Sequence, residues 1–135
     1  MSFAIYPSLK GKAVFISGGA AGIGAEMVRA FAQQGAHVGF VDIDEETSFR
    51  LIEETEGDVS FARADLRDID DLRRALAALE QEMGAADVLV NNAARDDRHD
   101  WKEVTADYWD ERQHTNLRHM FFAIQALAPG MAGKG

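Results

Sequence analysis

Apolar residues fall along this chain in two alternating rhythms. Short apolar or β-branched runs at residues 13–16, 37–41, 59–64 and 87–90 read as strands. Between them, over 22–34, 45–54 and 70–83, apolar positions recur three and four apart, the spacing of a helix with one buried face. In the first of these, Ile23, Met27 and Phe31 share that face. The three patterns close at Gly35, Gly57 and Gly84, and glycine is the usual residue just past a helix end. A longer helical pattern runs over 105–128, with Trp109, Leu117, Phe121, Ile124 and Leu127 at mostly helical spacing. Thr105 is placed to cap it, and Pro129 to end it or sit in its last turn.

Strand and helix in strict alternation force parallel pairing, because each helix must return the chain to the same edge of the sheet. The pattern predicts an α/β fold, a Rossmann-like doubly wound parallel sheet in its N-terminal portion, with strand order 3-2-1-4. No linker, repeat or low-complexity tract divides the chain, so residues 1–135 are expected to form a single domain that stops before a fifth strand. Its fourth strand, apolar on both faces through Val88, Leu89 and Val90, would then be an open edge prone to self-association.

Composition narrows the function classes. The net charge is −9, from 23 acidic and 14 basic residues, so the broad basic surface that nucleic acid needs is not expected. No apolar run approaches the roughly 20 residues required to cross a bilayer. The opening residues lack the basic-then-apolar pattern of a secretory signal, and there is no cysteine for disulfides or thiolate metal sites. A cytoplasmic protein without membrane or nucleic-acid partners is expected. The four histidines show no metal-ligand spacing, so no metal is expected either.

The chemistry concentrates where the first strand runs into Ser17-Gly18-Gly19-Ala20-Ala21-Gly22-Ile23-Gly24 and a helix begins. Such a turn lets backbone approach a phosphate, and the helix behind it aims unpaired N–H groups and a positive dipole end at the same place. Asp42, at the end of the second strand and eighteen positions after Gly24, is placed to accept the hydroxyls of an adenosine ribose. A 2′-phosphate about 4 Å from it would cost about 4 kcal/mol at an effective dielectric near 20. The residues that follow, Ile43-Asp44-Glu45-Glu46, supply no compensating cation, so NAD is favoured over NADP. Asp65, leaving the third strand, could accept from an adenine amino group or could instead cap the next helix. A glycine turn followed by an acidic residue also suits methyltransferases, but Asn91-Asn92-Ala93 after the fourth strand does not.

In that combination the chain resembles the short-chain dehydrogenase/reductase family. Residues 17–24 are similar to its T-G-x-x-x-G-I-G turn, and Asp87-Val88-Leu89-Val90-Asn91-Asn92-Ala93-Ala94 to its fourth strand and N-N-A-G motif. Ser17 stands for threonine and keeps the hydroxyl; Ala94 stands for the last glycine and adds a methyl group beside the cofactor. The resemblance implies that Ser17, Gly18, Gly22, Ile23, Gly24, Asp42, Asp65, Leu66, Asn92 and Ala93 bind the cofactor and that Asn91 ties the central strands together. It also implies that Asn116 opens its helix to hold a water in a proton relay, which makes it the one catalytic candidate in the chain.

The family's serine and its Y-x-x-x-K pair, with tyrosine as general acid/base, have no counterpart here. Tyr6 and Lys10 match the spacing but precede the first strand. The chain is therefore expected to be the NAD-binding half of a dehydrogenase and to be inactive alone, the other reading being a non-catalytic nucleotide-binding or interaction module. Residues 92–99, 108–112 and 116–121 are similar to aldose dehydrogenases of the family, which implies a sugar or alcohol substrate, with Asp97, Arg98 and His99 near it. The family resemblance also implies a homodimer or homotetramer through the 105–128 helix.

Overall fold

The computed structural model describes residues 4–135. Met1, Ser2 and Phe3, which the reading of the chain's start included, lie outside the described residues. Four parallel strands, β1 (Ala13–Ser17), β2 (His37–Asp42), β3 (Asp58–Arg63) and β4 (Val88–Asn91), form one sheet in the order β3-β2-β1-β4. The expected order is the observed one, and every strand starts and ends within one residue of its expected place. β1 is buried at all five positions, as a central parallel strand must be.

Each face of the sheet carries its own core. On one face Val14, Ile16, Val38 and Phe40 pack under α1 (Gly22–Gln33) and α2 (Glu45–Glu54). On the other, Phe15 and Val41 pack under α3 (Ile69–Met83) and α5 (His119–Gly133). The inward stripe of α1 differs from the one read from sequence: Gly24, Ala25, Val28 and Ala32 are buried, while Met27 and Phe31 sit at the flank and Ile23 is 71% exposed. Small residues on the stripe bring helix and sheet close together, and that closeness turns Ile23 outward.

Capping decides where the helices begin. Asp44 starts α2 by accepting the Thr47 N–H at 3.0 Å, and Asp68 starts α3 by accepting those of Asp70 and Asp71 at 3.0 and 3.2 Å. The capping alternative for Asp65 thus falls to Asp68, three residues on.

The expected single helix over 105–128 is present in altered form. Thr105 caps α4 (Ala106–Gln113) through the Tyr108 N–H at 3.1 Å. A π-helical turn, His114–Arg118, then joins α4 to α5 without a break in helical backbone. The helix runs through Pro129 and one further turn to Gly133, so the proline neither ends it nor sits in its last turn. Asn116 lies inside the π turn, where an i→i+5 bond widens the helix by one residue.

At the amino ends of the strands, Asp87 closes the base of the fold. Its carboxylate accepts from the Ala13 N–H at 2.8 Å, from Lys12 at 3.2 Å and from Lys134 at 2.8 Å. These bonds, the Lys134 one foremost, hold it down at about 2. Among the described residues no helix is long and apolar enough to cross a membrane.

Candidate functional site

Where β1 ends, the chain must turn and start α1 within a few residues. Gly18 makes the turn at φ +70, and its N–H donates to the Val41 carbonyl at 2.8 Å. A Cβ there would stand 2.8 Å from the Ala93 backbone. At Gly24 a Cβ would lie 1.8 Å from the Gly18 carbonyl oxygen. Both glycines therefore serve the protein's own packing, a stricter demand than the phosphate clearance read from sequence. Gly22 is the different one: its φ is +56, and a Cβ would meet no protein atom within 4 Å. That open side belongs to a cleft of about 670 Å³ across the carboxyl ends of the strands.

The start of α1 faces this cleft bare. Ala21 occupies the cap position with no side-chain bond to the helix, and the first turn carries no acidic residue. α2, α3 and α4 each have a capping side chain and an acidic first turn. The unpaired N–H groups and positive dipole end of α1 thus remain for an external anion. Gly18, Gly22, Ile23 and Gly24 line the cleft on this side, and Asp42, Asp65, Leu66, Asn92 and Ala93 line it on the others. Nine of the ten cofactor residues read from the sequence therefore border one cavity.

Ser17, the tenth, is buried, and its hydroxyl accepts the N–H groups of Asn92 and Ala93 at 3.0 and 3.2 Å. It shapes the cleft by pinning β4 to β1. Asn92 returns the tie: its Nδ2 donates to the carbonyls of Ser17 at 3.1 Å and Gly18 at 3.0 Å. Asn91 ends β4 opposite Ser17, and its Oδ1 is buried with no partner among the described residues.

Asp42 accepts the Ala20 N–H at 3.0 Å and the Asp44 N–H at 3.1 Å, which stitches the glycine turn to the start of α2. Asp65 is not free: Arg67 donates to it from Nε at 2.9 Å, from a terminal nitrogen at 2.7 Å and from its backbone at 3.0 Å. That guanidinium holds the Asp65 carboxyl below its ordinary range. Arg67 lines the cleft as well, and reading the sequence did not single it out. Its spacing of two from Asp65, the reach of a local ion pair, was the available signal.

Asn116 stands beside the cleft. Its Oδ1 accepts the Arg95 N–H at 2.7 Å and its Nδ2 donates to the Arg95 carbonyl at 2.8 Å, so the π turn is tied to the segment after β4. His119, one turn on, is fully buried, and its Nε2 donates to the Ala93 carbonyl at 3.0 Å. Burial keeps the ring's pKa below the ordinary value for histidine. No sequence signal separated this residue from the other histidines.

Asp97 bridges Arg95 at 2.7 Å and Arg112 at 2.8 Å, and Tyr108 Oη lies 2.8 Å from His99 Nδ1. Of this group only Arg95 borders the cleft. Asp97, Arg98 and His99 are exposed, so the structure does not bring them into the cavity. Tyr6 and Lys10 lie next to Gln34 and Gly35, at the other end of the strands. No group of acidic or histidine side chains able to hold a metal occurs among the described residues.

A doubly wound sheet with an uncapped glycine turn, an acidic residue closing strand two and two asparagines closing strand four is the layout of the dinucleotide-binding class of folds. The chain belongs to the short chain dehydrogenase family, whose pattern matches residues 12–135. It is 51% identical over 138 residues to D-xylose 1-dehydrogenase of Caulobacter vibrioides, covering all of this chain and 54% of that protein. It is 46% identical to a probable galactose dehydrogenase of Rhizobium meliloti, covering 96% of this chain and 52% of that one. Among solved structures it is similar to a blue fluorescent protein from a metagenomic library in complex with NADPH, with TM-score 0.85 and 34% identity over 91% of this chain and 52% of that one. The chain spans about half the length of the curated relatives it matches.

Proposed function

We propose that these residues are the NAD-binding half of a dehydrogenase that oxidises a hydroxyl of a sugar, an aldose to its aldonolactone in first place. The observation that carries the nucleotide site is the bare amino end of α1, opening on a cleft that Asp42 also lines. The residues fit a dinucleotide: Gly22 leaves the room that a Cβ would fill, and no side chain competes for the first N–H groups of the helix. Gly22, Ile23 and Gly24 would take the pyrophosphate, Asp42 the adenosine ribose, Asp65 and Leu66 the adenine, and Asn92 and Ala93 the second ribose. The bound nicotinamide would supply the hydride acceptor.

The protein's own share of the reaction is positioning. Ser17 and Asn92 hold the glycine turn and the end of β4 in fixed relation through their paired hydrogen bonds. Asn116, the catalytic candidate, orients the Arg95 segment and with it one wall of the cleft. The sugar assignment draws on likeness to relatives named for D-xylose and galactose. NAD rather than NADP rests on Asp42.

We also place a homodimer or homotetramer contact on the 105–128 helix. Trp109, Leu117, Phe121 and Ile124 are 51–62% exposed there, an apolar surface that water covers poorly. A cytoplasmic location agrees with the composition. The test is to mix residues 1–135, and separately the parent protein carrying a downstream Y-x-x-x-K, with NAD and a panel of aldoses. NADH should form only with the parent. Turnover by residues 1–135 alone, or none by the parent on any aldose, would overturn the reading.

A further inference from the structure

Just past the end of β4, most backbone polar groups of residues 93–95 are already held. The Ala93 N–H donates to Ser17 Oγ at 3.2 Å, and the Ala93 carbonyl accepts from His119 Nε2 at 3.0 Å. Asn116 takes both groups of Arg95, the N–H at 2.7 Å and the carbonyl at 2.8 Å. The N–H and carbonyl of Ala94 are left over, with no partner among the described residues. Ala94 is exposed and lines the cleft.

His119 decides which way that free N–H points. The peptide between Ala93 and Ala94 is planar and trans, so its carbonyl and its N–H leave on opposite sides. The carbonyl goes to His119, which is fully buried and does not border the cleft. The N–H is therefore directed the other way, into the cavity. This is the ring's one hydrogen bond. A carbonyl only accepts, so Nε2 carries the proton and Nδ1 is a bare acceptor, buried without a partner among the described residues. A buried nitrogen without a partner weakens the fold, so packing alone does not account for a histidine here. An apolar side chain would fill the space without that cost; what it lacks is the donor.

We propose that His119 is a positioning residue of the nucleotide site: it holds the Ala93 carbonyl away from the cleft and so keeps the Ala94 N–H presented to a hydroxyl oxygen of the second ribose. A donor fixed before the ligand arrives loses little freedom on binding, so the pin strengthens binding although the ring touches no ligand. Without it the peptide plane is free to turn, and the N–H leaves the cavity for part of the time. The inference rests on the nucleotide reading above and adds to it a buried residue that reading does not use.

Calorimetric titration with NAD and with ADP, which lacks the second ribose, tests it on the wild-type chain, His119→Phe and His119→Gln. The phenylalanine keeps a flat ring and removes the donor; the glutamine restores an N–H donor on a side chain of similar reach. His119→Phe should bind NAD about five- to tenfold more weakly than wild type, the loss expected for one hydrogen bond, and should bind ADP as wild type does. His119→Gln should recover most of the NAD affinity. A histidine that only supports the fold would shift both ligands together or neither. Either result overturns the inference, as does a glutamine variant no better than the phenylalanine one. If His119→Phe fails to fold, the amide NMR resonance of Ala94 in the wild-type chain carries the test. NAD should move it downfield and ADP should leave it in place; an Ala94 resonance indifferent to NAD overturns the inference. Wild type that binds neither NAD nor ADP overturns the nucleotide reading first and this inference with it.

Discussion

Asn92 holds the glycine turn from the end of the neighbouring strand, and replacing it separates two effects. Its Nδ2 donates to the carbonyls of Ser17 at 3.1 Å and Gly18 at 3.0 Å. Each bond contributes about 1 kcal/mol net, so Asn92→Ala should cost about 2 kcal/mol. Asn92→Asp keeps the shape but sets a carboxylate against those same two oxygens, with no hydrogen to share. A charge left unpaired in a part-buried place costs more than an absent group, so the aspartate should destabilise by ~3 kcal/mol or more. Urea unfolding followed by circular dichroism measures this as a lower midpoint at unchanged slope. Both variants should also weaken NAD binding, because Gly18 loses its tether. An aspartate variant as stable as the alanine one would refute the assignment of Nδ2 as a double donor.

Other consequences follow from single residues. Gly24→Ala puts a Cβ 1.8 Å from the Gly18 oxygen, and overpacking of that kind costs about 1–3 kcal/mol or more; NAD-induced thermal stabilisation should disappear with it. Gly22→Ala meets no protein atom but must hold φ +56, so a loss of about 1–2 kcal/mol is expected, with binding suffering more than folding. Asp87, held down to about 2 from 3.8, contributes about 2 kcal/mol. Because its folded pKa is depressed, that stability is full above about pH 4 and is lost as pH falls through 2. Asp87→Asn should therefore lower the unfolding midpoint at neutral pH and match wild type in strong acid. His119 is neutral in the fold, its pKa depressed by burial. The unfolded chain binds the proton more readily, so stability should decline as pH drops below about 6.5, and His119→Phe should flatten that decline.

The architecture was legible because its signals are local and repeated. Each strand is a short, mostly apolar run, most helices end at or near glycine, and the parallel order follows from alternation alone. The site residues were legible for a related reason. Gly18, Gly22, Asp42, Asp65 and Asn92 each sit at the carboxyl end of a strand or in the turn after it, and parallel strands bring those ends to one edge.

What escaped depends on contacts between distant segments. Nothing in the periodicity of α4 and α5 marks the π turn, which goes with two bonds from Asn116 to Arg95, twenty-one residues earlier. Ile23 fits the helical period of the core face, yet the closeness of α1 to the sheet turns it into the cleft. The sequence after Asp42 offers no cation, but the ladder sets Arg63 beside it from the next strand. Asp97, Arg98 and His99 follow the strand end closely in sequence but fold onto α4 and into solvent instead of the cavity.

The most direct test of the nucleotide site is a calorimetric titration of residues 1–135 with NAD and then NADP at physiological ionic strength. A carboxylate about 4 Å from a 2′-phosphate opposes it by about 4 kcal/mol before screening. The uncapped α1 and Asp42 together therefore predict binding of NAD with at least a tenfold preference over NADP. Failure to bind either dinucleotide, or equal affinity for both, would contradict the account.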